Sequence, residues 1–207
     1  ATSVITVTGG PTPTPTPAPS TAPEPGPVPV PVPVPDLPDE IETPIVGLPT
    51  TTTGLPGVYP SLVTSYGGRL VLTSSIIDRI SSNIDAASGV SLPVFTGSVS
   101  AAGKSGAFAF ALAQSGLVGQ PVSSLRLIKV KSASTHLEFT RVNKLSDLAD
   151  GKFAIVTSTG VIRAANDTVR STDALVLVIK DNGAFDMNST PGAILDPCFL
   201  AQSTRRS

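Results

Sequence analysis

PTPTPTPAPSTAPEPGPVPVPVPVPDLPDEIETPIVGLP, residues Pro11–Pro49, decides where this chain can fold. Proline fixes its own φ, lacks an amide hydrogen and pushes the preceding residue towards extended backbone. Every second residue is proline from Pro11 to Pro19 and again from Pro23 to Pro35. Polyproline II is therefore the only regular conformation left to this stretch, and Pro11 to Pro38 would span roughly 90 Å. The sequence predicts a stiff spacer over residues 11–58 and a globular body over residues 59–207.

The two halves of the spacer differ in chemistry. The first half is rich in hydroxyls, and Thr12, Thr14 and Thr16 are candidate O-glycosylation sites. The second half, VPVPVPVP, is apolar and could lie against a protein surface. Three interpretations stay open: a solvated linker, a tract that packs on a neighbouring subunit or on its own body, and a ligand for a proline-reading domain.

The short peptide before the spacer, residues 1–10, has the composition of a single β-strand. Thr2–Thr8 reads TSVITVT, and β-branched residues favour strands. A lone strand is unstable, and the spacer that follows offers it no partner. The peptide is therefore disordered, folds back on the body, or adds to the sheet edge of another molecule through main-chain hydrogen bonds. In the third case Val4, Ile5, Thr6 and Val7 form the donor strand.

The body has the pattern of a mainly β fold: an antiparallel β-sandwich, similar to a jelly roll, with one short helix. The helix is expected over residues 75–87, because Ile76, Ile77, Ile80 and Ile84 recur at helical spacing, with Thr73 or Ser74 as cap and Gly89 as terminator. ALVLVIK (174–180) is continuously apolar and should be a central strand. In SSLRLIKVKS (123–132) the alternation places Lys129 and Lys131 on a polar face. The other expected strands are 68–75, 90–100 (paired or bent), 106–113, 136–142 and 152–158.

Three residues are candidate catalytic groups, and each has a simpler interpretation. Lys104 lies in GKSG, but the glycine spacing is wrong for a phosphate-binding loop and a strand-like run follows. His136 is the only histidine, and no G-x-S-x-G motif accompanies it, so a polar residue at a strand end is expected. Cys198 is the only cysteine and is expected to be a buried thiol. The sequence therefore predicts no enzyme.

Composition restricts the partners. The net charge is −1 and only 14% of residues are charged, which excludes the basic field that nucleic acid requires. No apolar run reaches the ~18 residues that span a membrane. The chain starts at Ala1, as a secreted protein does after signal-peptide cleavage, so an extracellular or cell-surface location is expected.

The stretch VIKDNGAFDMNSTPGAILDP (178–197) combines oxygen-bearing side chains with turn-forming glycines. Such side chains at short gaps are what Ca²⁺ requires, so Asp181, Asp186, Asn188 and Asp196 are candidate ligands of a structural calcium. The alternative is a loop in which these side chains accept hydrogen bonds from their own backbone. Asn166 and Asn188 also begin N-glycosylation sequons.

This stretch resembles the close of a bacterial surface module, the choice-of-anchor U domain. The shared features are an apolar strand, an Asp-Asn-Gly turn at 181–183, an Asp-Met-Asn loop at 186–188 and a Gly-x-Ile-x-Asp-Pro finish at 192–197. The run FAFALAQSGLVGQPVSSLRLI (108–128) is similar to an earlier strand, glycine turn and strand of that module. Asn182 and Asn188 depart from the Gly and Asp of the family pattern. The resemblance covers residues 100–201 and implies an extracellular β-sandwich without enzymatic activity.

Two functions follow as expectations. The first is a structural subunit of an extracellular filament or surface fibre that polymerises with itself by adding residues 2–8 to a neighbouring copy. The second is a monomeric secreted adhesin or glycan-binding module on a proline-rich stalk. The second needs an exposed aromatic platform, and Tyr59 and Tyr66 are the only tyrosines in a chain without tryptophan. The first function is therefore favoured.

Overall fold

The structure, a computed structural model, describes residues 59–113 and 115–204, together with Pro38 and the pairs 41–42 and 48–49. The donor-strand residues Val4, Ile5, Thr6 and Val7 and the threonines Thr12, Thr14 and Thr16 lie outside these residues. Within the described part the protein is mainly β with a single α-helix, which confirms the predicted fold class.

The regular elements follow one another as short strands interrupted once by the helix. In chain order they are β1 (Ile41–Glu42), β2 (Leu48–Pro49), β3 (Val63–Tyr66), β4 (Arg69–Leu72), α1 (Ser74–Asn83), β5 (Ala86–Ser91), β6 (Phe95–Ser98), β7 (Ser105–Ala111), β8 (Leu125–Val130), β9 (His136–Glu138), β10 (Thr140–Arg141), β11 (Lys152–Val156), β12 (Ala174–Lys180), β13 (Ala193–Asp196) and β14 (Cys198–Ser203).

The largest sheet is five-stranded, in the order β1-β7-β12-β11-β10. Strand β12 lies at its centre and pairs antiparallel with β7 on one side and β11 on the other. This confirms the central position expected for ALVLVIK, whose apolar run leaves neither face for water. The two outer pairs, β1 with β7 and β10 with β11, are parallel, so the sheet is antiparallel only in its middle.

Two smaller sheets complete the body, and the chain passes between them without a loop. A three-stranded sheet has the order β13-β6-β2, and a four-stranded sheet has the order β5-β14-β8-β9. Only Pro197 separates β13 from β14, although they belong to different sheets. Strands β3 and β4 form a separate hairpin. Its turn at Gly67 and Gly68 has positive φ at both residues, which glycine adopts without strain.

The main core lies between the five-stranded sheet and the two smaller sheets. Phe108, Phe153 and Leu177 contribute from the large sheet, and Leu127 and Leu200 contribute from the four-stranded sheet. Both contributions follow the alternation of side chains along a strand, which places every second residue on the inner face. The aromatic rings of Phe95 and Phe108 meet there with centroids 4.5 Å apart.

Helix α1 covers the outer face of the four-stranded sheet. Ile76, Ile77 and Ile80 are buried against a cluster that includes Ile128 and Phe199, which confirms the predicted apolar face. The predicted end of the helix was wrong. The helix ends at Asn83, and Asp85 reverses the chain with a φ of 52°.

Gly89, expected to end the helix, lies instead within strand β5. An added Cβ at this position would come within 2.4 Å of the Phe199 ring. A glycine fits this position because strand β5 approaches a core aromatic ring closely.

The folded body includes residues that were predicted to belong to the spacer. Ile41 and Glu42 pair with Ser105 and Gly106 of β7, and β2 pairs with β6. Ile41 is buried, and both carboxylate oxygens of Glu42 accept the backbone N–H of Ser100, at 3.0 and 2.8 Å. Among the described residues, no helix is long and apolar enough to cross a membrane.

Candidate functional sites

The loop after strand β12 is organised by the side chain of Asp181, which is buried. Its Oδ2 accepts the N–H of Gly103 at 2.9 Å, and its Oδ1 accepts the N–H of Gly192 at 2.9 Å. Burial acts to raise the pKa of this carboxyl, but the N–H donors outweigh it and hold the pKa below its usual value. Through these two hydrogen bonds, Asp181 links the turn before β7 to the turn before β13.

Asp186 likewise accepts backbone N–H groups, within the loop itself. Its Oδ1 accepts the N–H groups of Asn188 at 2.9 Å and Leu195 at 3.1 Å, and its Oδ2 accepts the N–H of Asn182 at 2.9 Å. Asn182 adopts a positive φ of 55°, a conformation that asparagine tolerates better than most residues. The Oδ1 of Asn188 accepts the N–H of Thr190 at 2.9 Å.

These contacts match the alternative interpretation of the loop, in which side-chain oxygens bind backbone N–H groups. The predicted calcium ligands do not converge. Among the residues that the structure describes, no group of three or more His, Cys, Asp or Glu side chains could hold a metal ion. Structural calcium at Asp181, Asp186, Asn188 and Asp196 stays a prediction for which this geometry gives no support.

The fourth predicted ligand, Asp196, contacts a cation of the protein instead. The Nζ of Lys129 donates to Oδ1 of Asp196 at 2.8 Å and to the carbonyl oxygen of Leu195 at 3.2 Å. Both side chains of this pair have a relative exposure of 0%. The expectation that Lys129 faces solvent was wrong. Lys129 continues the row of Leu125 and Leu127, two positions apart along β8, and this row faces the core.

Two polar atoms in this region have no hydrogen-bond partner in the described structure: Oδ2 of Asp196 and the hydroxyl of Tyr59, both buried. Tyr59 packs in a cluster with Leu195, the residue before Asp196. Burial, and then the charge of Asp196, raise the pKa of Tyr59. Buried polar groups normally have hydrogen-bond partners. Two buried polar atoms without a partner near one ion pair are therefore unusual.

The three candidate catalytic residues lie where their simpler interpretations predict. His136 begins strand β9, and Cys198 is a buried free thiol whose pKa burial raises, so both expectations are confirmed. Lys104 precedes strand β7 rather than a helix, which removes the phosphate-loop geometry.

A different feature is the outer side of strand β7, which is only partly paired by the strands that the structure describes. Strand β12 pairs with all seven residues of β7 on one side. On the other side β1 pairs only with Ser105 and Gly106, and within the described ranges no strand pairs with residues 107–111. This edge could not be identified from the sequence, because strand order depends on long-range pairing and not on local pattern.

Comparisons of the chain with protein-family models, with curated proteins and with solved structures found no match. The likeness to the choice-of-anchor U module therefore rests on the residues quoted above.

Proposed function

We propose that this protein is a structural subunit of an extracellular filament or surface fibre, in which residues 1–10 of one copy add a strand to the body of the next. The observation that supports the proposal is the outer edge of strand β7, residues 107–111. An edge strand presents unpaired N–H and C=O groups to any extended chain that reaches it.

The direction of the backbone groups along this edge can be worked out from one hydrogen bond. The N–H of Leu112 donates to the carbonyl of Asp173, which lies on the β12 side. Backbone groups alternate in direction along an antiparallel pair, so the N–H groups of Ala107, Ala109 and Ala111 face away from β12. Those groups are the donors that an added strand would use.

The side chains of the edge suit a β-branched partner. Residues 107–111 read AFAFA, and Ala107 and Phe108 are buried while Ala111 is exposed. No charged side chain interrupts the run, whereas proteins that block edge pairing commonly place a lysine or a proline there. The four donor residues Val4, Ile5, Thr6 and Val7 would cover most of this five-residue edge and bring three β-branched apolar side chains to it.

Two described residues of the predicted spacer pair with the same strand β7. Ile41 and Glu42 are fixed on β7 by strand pairing and by the contact of Glu42 with Ser100. The hydroxyl and the N–H of Ser100 lower the pKa of Glu42, so this carboxylate stays charged at neutral pH. The sequence predicts a polyproline II spacer of roughly 90 Å, which is long enough for residues 1–10 to reach a neighbouring copy, and this length is our reason for proposing donation to a neighbour.

The test compares the full chain with three variants after refolding from denaturant, by negative-stain electron microscopy and analytical ultracentrifugation. The first variant lacks residues 1–10. The second, Ala111→Pro, removes an outward N–H from the edge of β7 and keeps the pairing with β12. The third, His136→Pro, is the matched control on another edge. The N–H of Phe139 and the carbonyl of Thr135 both face β8, so the N–H of His136 faces outward from the four-stranded sheet.

We expect fibres from the full chain and from His136→Pro, and monomers from the other two. Circular dichroism must show that each variant has folded. If the full chain is monomeric at all concentrations, filament formation is refuted. If Ala111→Pro forms fibres as readily as the full chain, the donor strand binds elsewhere.

The adhesin or glycan-binding alternative finds less support. Tyr59 is fully buried, and among the described residues Tyr66 is the one aromatic side chain that is largely exposed, at 78%. Flat aromatic platforms for sugars combine exposed rings, and Tyr66 stands alone at the tip of the β3–β4 hairpin. Glycan binding by a monomeric preparation, lost in Tyr66→Ala, would favour this alternative.

A further inference from the structure

The Lys129–Asp196 pair is held in place by the strands on which it lies. Lys129 lies on β8 opposite Cys198 of β14, and Asp196 ends β13 one residue before Pro197. The N–H of Val130 donates to the carbonyl of Pro197 at 3.0 Å, which fixes the two backbones beside the pair. Neither side chain can leave its partner without opening the junction between two sheets.

The surroundings make the charged form of this pair costly. Leu127, Leu200 and Cys198 line the same core face, and both members of the pair are fully buried. Ions lose several kcal/mol of hydration in such an interior, and their attraction offsets this only when their remaining hydrogen-bond capacity is satisfied. Here Oδ2 of Asp196 is not satisfied.

The titration of both groups shifts towards their neutral forms. Burial lowers the pKa of Lys129 and raises the pKa of Asp196 to about 6. A neutral amine is a nucleophile, and a protonated carboxyl can lose one oxygen as water. The two reacting groups are already in contact, and such preorganisation can correspond to effective concentrations of about 10⁵ M or more.

We propose that Lys129 and Asp196 condense into an intramolecular amide bond that links strand β8 covalently to the end of strand β13. A proton first passes from the Lys129 ammonium to the Asp196 carboxylate. The neutral Nζ then attacks Cγ of Asp196, a carbon–nitrogen bond forms, and one carboxyl oxygen leaves as water with protons that came from Nζ. One ammonium and one carboxylate thus become one amide and one water, with no oxidant or other reactant.

Tyr59 is the residue to which we assign stabilisation of the tetrahedral intermediate. Its hydroxyl is buried without a hydrogen-bond partner, and its ring packs in one cluster with Leu195, the residue directly before Asp196. A donor that meets a partner only when an oxyanion forms stabilises the transition state and not the ground state. The amide bond does not depend on filament formation, and a monomeric protein would carry it equally.

The test is the mass of the denatured full chain, measured by mass spectrometry after folding. We expect the wild type to be lighter than its sequence by one water molecule. Lys129→Met and Asp196→Ala should show their full sequence masses. The matched control Lys131→Met, two residues along and partly exposed, should still lose one water. Asp196→Asn should lose ammonia and reach the same final mass as the wild type.

Peptide mapping gives the decisive second measurement, because a succinimide at Asp150-Gly151 would also remove one water. Digestion with trypsin should yield a branched peptide that joins the segment containing Lys129 to the segment containing Asp196, with no cleavage after Lys129. An unlinked Lys129 peptide from folded wild-type protein, or a full sequence mass that stays unchanged on long incubation, overturns the proposal. Tyr59→Phe should form the bond at least tenfold more slowly, and an unchanged rate would remove Tyr59 from the reaction.

Discussion

Removing the side chain of Asp181 should destabilise the body substantially, because this buried carboxylate joins two turns that are far apart in sequence. In Asp181→Ala the N–H groups of Gly103 and Gly192 both lose their acceptor. A hydrogen bond to a charged group contributes about 1.5–3 kcal/mol. Gly103 is exposed, so water can replace its partner in part, and the expected loss is about 2–4 kcal/mol in the free energy of unfolding. For a body of this size that lowers Tm by about 5–15 °C.

The assay is urea unfolding at neutral pH, followed by circular dichroism. The matched control is Asp167→Ala, since the Oδ2 of Asp167 accepts a single N–H, from Ala164, at the surface. The control should cost less than about 1 kcal/mol. If Asp181→Ala stays within about 0.5 kcal/mol of the wild type, the carboxylate does not organise the loop and the reasoning is refuted.

The same residue predicts how stability depends on pH. The folded-state pKa of Asp181 is lowered, so the unfolded state binds more protons as the pH falls. Its contribution is present above the unfolded pKa of about 3.9 and is lost as the pH falls through the folded pKa. The difference in stability between the wild type and Asp181→Asn should therefore be largest near neutral pH and shrink below about pH 4.

Three further outcomes are expected. Gly89→Ala should lower the free energy of unfolding by about 1–3 kcal/mol, because its Cβ would overlap the ring of Phe199; an unchanged urea midpoint would show that the strand can shift. Millimolar calcium or a chelator should leave Tm unchanged, because the carboxylate oxygens of Asp181 and Asp186 already accept N–H groups. A rise in Tm of several degrees with calcium would support the predicted calcium site. Cys198 should react with a thiol reagent only in denaturant, at least a hundredfold faster than in the native protein, and rapid native reaction would contradict its burial.

The elements that the sequence predicted are those with a strong local pattern. Strand β12 was found with its correct bounds because a continuous apolar run of that length, flanked by polar residues, has few other interpretations. The isoleucine face of α1 was predicted correctly because its isoleucines recur at helical spacing. Gly89 was misplaced because a glycine after a helix is commonly a terminator, and only the Phe199 ring shows its actual role.

The features that could not be predicted from the sequence are those that depend on pairing between distant strands. Strand β14 was not recognised, since Cys198–Ser203 becomes central only through its partners β5 and β8. The burial of Lys129 could in principle have been predicted, because Lys129 lies on the same face of its strand as Leu125 and Leu127. A lysine is almost never fully buried unless paired, however, and its partner Asp196 is far along the chain. The candidate amide bond therefore depends on a contact that no local pattern reveals.

The position of strand β14 has a consequence for synthesis. This strand lies between β5 and β8, yet it is made after both of them. Until residue 203 has left the ribosome, the four-stranded sheet has a gap in its middle and the isoleucines of α1 have no complete surface to cover. The four-stranded sheet and the helix packed on it can therefore be completed only after residue 203 has emerged, whereas all five strands of the large sheet have been made by residue 180. Until then the incomplete sheet exposes apolar strand faces, which are open to aggregation and to chaperones during synthesis.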